Sequence, residues 1–233
     1  MNTGAATLDR AFTVPIYSQA EAARIIRTPR ATLHRWGRGY ESPTATGVRT
    51  MPALITLTTS QGPQQGATVP FVGLAEAFVL ASFRATGLSM QRIRPALDAI
   101  RDTIGLDHAL ASQRLMTDGA EILWKAQGEG ETDDRLIVVR NRQAVFHEVV
   151  ADHLQAITFE GGFASSLTLP EYRGVDVTVD PFVNWGRPTL SPFGVAVDDI
   201  VDRHTAGESV ESLAYDFGMD PGTVRSVLPP RAA

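Results

Sequence analysis

The sequence predicts a mainly α protein with small β elements (α+β): a winged helix-turn-helix at the N-terminus, a helical and mixed middle, and a C-terminal trihelical, helix-turn-helix-like domain. Three observations predict it. Residues 17–36, YSQAEAARIIRTPRATLHRW, hold two helix starts and a turn. Residues 71–85, FVGLAEAFVLASFRA, form an apolar run of helical length. Residues 195–228 repeat the spacing of the first stretch with the opposite charge.

Ser18 and Glu21 have the spacing of a capping box, in which the hydroxyl accepts a free backbone N–H and the carboxylate reaches back to the N–H of the cap. A helix is expected to start there. Thr28 and Pro29 predict a second start, a hydroxyl cap followed by proline at the first helical position, where the absent N–H is not missed. At about 100° per residue, Leu33 and Trp36 share one side of that helix. Arg30, Ala31, His34 and Arg35 share the other, joined by Arg38 if the helix continues. A helix-turn-helix pair wants a small residue in its first helix, a turn residue four later and a branched apolar residue ten later. Ala23, Arg27 and Leu33 keep that spacing, although glycine would suit the turn better.

Between Tyr17 and Thr50 six arginines stand against two glutamates, a balance of +4 in a chain of net charge −5. A basic island on an acidic protein suits phosphate, because each neutralised phosphate releases counterions. Arginine's planar fork also fits the O6/N7 edge of guanine. The bland alternative is a helical hairpin with solvated arginines. The following GRGYESPTATGVRTMPALITLTT offers turn residues and then an apolar, β-branched run, Leu54 to Thr58, expected as a hairpin wing with Arg49 near its tip.

Tyr17-Ser18, Ala22-Ala23 and Thr32-Leu33-His34-Arg35-Trp36 resemble the DNA-binding head of MerR-type winged-helix regulators, in which a Tyr-Ser/Thr opening, an Ala-Ala core and a Thr-Leu-x-x-Trp/Tyr second helix recur.

A length of 233 residues with 43% hydrophobic content is enough for one large or two small domains, two being favoured. The absence of cysteine excludes disulfides, thiolate metal sites and cysteine nucleophiles, and with them the thiolate-based metal sensing usual in MerR-type proteins. MNTGAATLDRAF lacks the cationic start and apolar run of a signal peptide, and no stretch reaches the ~18 apolar residues of a membrane span, so a soluble cytoplasmic protein is expected. Residues 1 to about 14 read as a loose arm and 14–59 as the DNA-binding head. SQGPQQG, residues 60–66, reads as a linker or wing exit.

The middle is expected over residues 67–170. Phe71 to Ala85 should be a helix ended by Gly87, and Ser89 should cap another in which Ile93, Leu97, Ile100 and Ile104 recur at helical spacing. These two helices are expected to form the central core or a subunit interface, the latter being preferred. A homodimer would place two heads on one duplex with recognition helices about 34 Å apart, or a multiple of that. A short helix near His108 to Met116, an acidic turn at 128–134, a strand at Leu136 to Val139, a helix at Gln143 to His153 and a strand at Gln155 to Phe159 follow. Leu167 to Leu169 and Val175 to Val179 suggest a hairpin around Pro170 to Gly174.

No chemical signature stands out in this middle. His147-Glu148 opens like HExxH, but position 151 is alanine. His147 and His153 are too far apart around a helix to share a metal. His34, His108 and His204 are isolated, and Asp133-Asp134 reads as a solvated turn. No glycine phosphate loop or GxSxG elbow occurs in a suitable context, so no cofactor, metal or enzymatic activity is expected.

The C-terminal domain, 175–230, should carry three short helices: Val197 to Ala206 stopped by Gly207, Ser209 to Phe217 stopped by Gly218, and a last one opened by Asp220-Pro221. Ala214, Gly218 and Val224 keep the four-and-ten spacing of Ala23, Arg27 and Leu33. From Val195 to Leu228, however, seven acidic residues meet two arginines, a balance of −5 that phosphates would repel. Such a unit suits packing on the rest of the protein or a basic partner.

Val179-Asp180-Pro181, Gly186-Arg187-Pro188, Gly194-Val195-Ala196-Val197, Ala206-Gly207-Glu208-Ser209-Val210-Glu211 and Tyr215-Asp216-Phe217-Gly218 resemble the family called domain of unknown function 433. Gly194 and Ala196 depart from it where arginine and proline are frequent. A MerR-like head joined to this tail is similar to the longer VapB-type antitoxins. That resemblance implies a protein that binds its own operator, as double-stranded DNA, and neutralises a PIN-domain ribonuclease toxin encoded beside it. Charge and spacing place Arg30, His34, Arg35 and Arg38 toward the major groove. Tyr17, Ser18, Tyr40 and Arg49, with Thr28 at the cap, would meet phosphates or the flanking groove. The rivals are a stand-alone regulator answering a small effector, an interaction scaffold, and last an enzyme without a short motif.

Overall fold

The computed structural model describes residues 10–44, 47–58, 66–85, 89–90, 93–94, 97–98, 102, 107–115 and 155–229. The chain divides into two compact units, residues 1–155 with 159–164, and residues 156–158 with 165–233. Among the described residues no helix is long and apolar enough to cross a membrane.

In the first unit, β1 (Pro15–Tyr17) leads into α1 (Gln19–Ile25). The expected capping box opens that helix: Glu21 N–H donates to Ser18 Oγ at 3.2 Å, and Ser18 N–H donates to Glu21 Oε2 at 2.7 Å. Arg27 makes the turn with φ of +50°, a left-handed conformation that glycine would adopt without strain. The second helix, α2 (Arg30–Arg38), starts differently from expectation. Pro29 is its N-cap, with an extended ψ of 133°, and no side chain caps it. The Thr28 hydroxyl instead turns back to the Ile26 carbonyl at 3.4 Å. Ala22, Ala23, Leu33 and Trp36 are buried between the two helices, as their spacing requires.

The wing is a hairpin, but of other residues than expected. β2 (Tyr40–Thr44) and β3 (Gly47–Met51) pair in antiparallel register from Tyr40↔Met51 to Thr44↔Gly47. Leu54 to Thr58 is not a strand. Its N–H groups are taken elsewhere: Leu54 N–H donates to Trp36 O at 2.7 Å, Thr56 N–H to Glu76 Oε2 at 2.5 Å and Thr58 N–H to Thr68 O at 2.9 Å. Leu54 and Ile55 are thereby sunk into the core behind α2.

The expected break at 60–66 does not separate a head from a middle. β1 pairs with β4 (Val69–Pro70), on the far side of that break. α3 (Phe71–Ala85) follows and packs on β1, β4 and a 3-10 turn at Ala109–Ala111. Twelve of its fifteen residues are buried, so α3 is part of the core, one of the two places expected for it. Of the following helix, Ile93 and Leu97 are buried, while Gly87, Ile100 and Ile104 lie outside the described residues. The arm is not loose where it is described. Ala11 is buried, and the Phe12 ring meets His108 and Phe163 edge-on at 5.0 and 5.1 Å. The elements expected between residues 116 and 153, with His147, Glu148, Ala151, His153, Asp133 and Asp134, lie outside the described residues.

The second unit is built on an antiparallel sheet of order β5-β6-β7-β8-β9, formed by Ile157–Glu160, Phe163–Thr168, Val177–Val179, Thr189–Leu190 and Val195–Ala196. The boundary between the units passes through the β5–β6 hairpin. The hairpin expected around Pro170 to Gly174 is β6–β7, with Leu167 opposite Val179. Three helices follow: α4 (Val197–Thr205), α5 (Val210–Phe217) and α6 (Pro221–Val227). Ser209 caps α5 through its Oγ, and Asp220 caps α6 with Pro221 at the first helical position. Ala214 and Val224 are buried on either side of Gly218, whose φ is +66°.

Candidate nucleic-acid interface

The site is the outward side of α2. Burial of Leu33 and Trp36 turns Arg30, His34, Arg35 and Arg38 to solvent, and all four are exposed. No ion pair to another described residue engages Arg30, Arg35 or Arg38. His34 is fixed: its Nδ1 lies 2.9 Å from Gln19 Oε1. Three cationic side chains on one exposed helix face, with arginine's planar forks, can grip phosphates or guanine edges.

Other expected site residues fall differently. Tyr17 is 3% exposed in β1, so its ring belongs to the core and cannot reach a phosphate. Its carbonyl accepts Thr68 N–H at 3.0 Å, which fixes it beside β4. Ser18 and Thr28 are half-buried, the first spent on the capping box and the second on Ile26. Tyr40 stays 40% exposed at the base of the wing, with the Arg94 guanidinium 5.4 Å from its ring centroid. Arg49 sits on β3 opposite Ser42, its side chain outside the described atoms.

Sequence reasoning missed the residues that brace this face from behind. Arg94 is buried and donates to Pro52 O at 2.9 Å, tying the exit of the wing to the helix after α3. Glu76, buried in α3, holds Thr56 and lies 3.1 Å from His108 Nδ1. A glutamate in the middle of a mostly apolar helix was the available signal. The wing also exposes Val48, next to its turn.

Two helices, a left-handed turn and a following hairpin define a helix-turn-helix protein. A family model described as "Putative DNA-binding HTH domain" matches residues 15–97, from β1 through the wing and α3 into the helix after it. A Mycobacterium tuberculosis protein named "Putative antitoxin VapB45" is 43% identical over 97% of this chain and 98% of its own length. The chain belongs to that VapB45 family. "Uncharacterized protein Rv2308" of the same organism is 26% identical over 91% of this chain and 88% of its own length. The crystal structure of Rv2018 from Mycobacterium tuberculosis matches with a TM-score of 0.73 at 35% identity, covering 93% of this chain and 98% of that one.

Proposed function

We propose that this chain is the DNA-binding antitoxin of a type II toxin–antitoxin pair, which binds its own operator through α2 and the wing and neutralises a PIN-domain ribonuclease encoded beside it. The observation that carries the DNA-binding half is the exposed cationic face of α2, Arg30, His34, Arg35 and Arg38, held outward by buried Leu33 and Trp36. The antitoxin half is supported by the name of the 43% identical relative. On this reading the protein is not an enzyme and acts in the cytoplasm. It works as a homodimer whose two recognition helices enter successive major grooves, about 34 Å apart or a multiple of that.

Fluorescence anisotropy with a duplex covering the protein's own promoter, beside a scrambled duplex, tests the DNA-binding half. Specific binding that falls steeply with salt and is lost in an Arg30→Ala/Arg35→Ala variant is the expected result. Equal, weak binding to both duplexes would overturn it.

A further inference from the structure

The second unit exposes aromatic side chains close in sequence to acidic residues. Trp185 is 60% exposed, Phe182 47%, Val183 41% and Phe193 38%. Four large apolar side chains exposed within twelve residues of sequence are candidates for an interaction site.

The loop that presents it is fixed in place. Asn184 and Trp185 both have left-handed φ, +47° and +59°. A bulky residue held there is an outlier, and it persists only where its surroundings over-determine it. Those surroundings are on hand. Asn184 Nδ2 donates to Thr189 Oγ1 and to Gly194 O, both at 3.0 Å, which draws the Phe193 turn to the Trp185 loop. Phe182 N–H donates to Asp180 Oδ1 at 2.8 Å, and Gly186 N–H to Val183 O at 2.9 Å. The chain therefore spends backbone strain on holding an indole out in water, where burial would have been the stabilising choice.

Charge says what the surface fits. Arg187, two residues from Trp185, pairs with Asp199 at 2.6 Å and so brings the first turn of α4 beside the loop. Asp202 follows on the same helix face and is exposed. From Ser165 to Pro229 ten carboxylates stand against four arginines, a balance of −6. Phosphate is repelled by such a field and a basic protein is drawn to it.

We infer that Trp185 and Phe193, flanked by Asp199 and Asp202, are the anchor by which this chain holds its protein partner, and that the partner's matching face carries arginine or lysine around an apolar pocket. Tryptophan is among the residues that most often dominate an interface, and a cation over its ring adds to the attraction. The inference rests on the antitoxin reading and names the toxin-binding surface within it.

Calorimetric titration of the full chain with the purified PIN-domain ribonuclease encoded beside it tests both, with Trp185→Ala/Phe193→Ala and Asp202→Lys as variants. The expected result is at least tenfold weaker binding by the aromatic variant and weaker, less salt-sensitive binding by Asp202→Lys. Melting temperature and promoter binding stay as in the wild type, since all three side chains are exposed. Equal binding by wild type and both variants would overturn the surface and leave the antitoxin reading standing. No binding by the wild type would overturn that reading and the inference with it. Wild-type dimers that the aromatic variant splits, with toxin affinity unchanged, would make the patch a contact between copies and overturn the inference alone.

Discussion

Glu76 Oε2 accepts the backbone N–H of Thr56 at 2.5 Å, and the same carboxylate lies 3.1 Å from His108 Nδ1. One buried side chain thus joins α3 to the segment that returns from the wing, and both to the 3-10 turn near residue 109. His108 completes the set by meeting Thr56 Oγ1 at 2.9 Å.

Glu76→Ala leaves the Thr56 N–H without its acceptor, and a buried donor so stranded costs about 2 kcal/mol. Glu76→Gln keeps one acceptor oxygen and should lose less. Urea unfolding of the two variants checks the order. Equal stability of Glu76→Ala and wild type would show that the contact does not brace the fold.

Gly73 tests the same junction from the other side. In a helix interior, Gly→Ala ordinarily gains about 1 kcal/mol. Here a Cβ would fall inside the van der Waals surface of the Thr56 carbonyl oxygen, which is backbone and cannot swing aside. Overpacking of that kind costs on the order of 1–3 kcal/mol, so Gly73→Ala is expected to destabilise. A raised melting temperature would contradict the close approach of α3 to residue 56.

On the DNA side, Arg30→Ala and Arg35→Ala should each flatten the plot of log affinity against log salt by roughly 0.9, one phosphate contact apiece. Stability should change by less than about 0.5 kcal/mol, because both residues are exposed. Leu33→Ala should do the reverse, losing on the order of 2–5 kcal/mol of stability. DNA binding that survives the arginine substitutions with an unchanged salt slope would move the interface off α2.

Acid should loosen the second unit. Hydrogen bonds from Arg203 hold the Glu208 carboxyl below its usual range, and the Thr223 hydroxyl and N–H do the same for Asp220. Each folded-state pKa lies below the unfolded one, so between the two values the unfolded chain binds more protons. The stability these groups contribute is present above the ordinary carboxylate range and lost as pH falls through their lowered values. Methyl NMR signals of Leu213 and Val224 should report that loss, and Glu208→Gln should weaken its pH dependence. An unaltered acid profile in Glu208→Gln would remove Glu208 from the account.

What could be read from the sequence was local. Ser18 and Glu21, Leu33 and Trp36, Asp220 and Pro221, and Ala214, Gly218 and Val224 act over one to ten residues of one chain segment, and the structure honours each of them. The failures share a different cause. Leu54 to Thr58 has strand composition, yet Trp36 and Glu76 claim its N–H groups. Tyr40 to Thr44 contains proline and no alternation, yet pairs with Gly47 to Met51. Thr28 chose the nearer carbonyl of Ile26 over its cap. Tyr17 carries a hydroxyl that suits a phosphate, and only the pairing of β1 with distant β4 shows that its ring is inside. The exposure of Trp185 is likewise invisible in a sequence, since it depends on Asn184 bridging to Gly194.

The pairing of Pro15–Tyr17 with Val69–Pro70 decides how the protein can be taken apart. A protease that cut between residues 59 and 65 would sever the chain without freeing α2, since strand pairing and the buried α3 would hold both pieces. A fragment ending at Thr59 is a different matter. It would leave behind Thr68, Val69 and the whole of α3, and with them the seat of Ile16 and Tyr17. The smallest piece that keeps α1 and α2 folded is therefore expected to reach through α3, well past the point where composition changes.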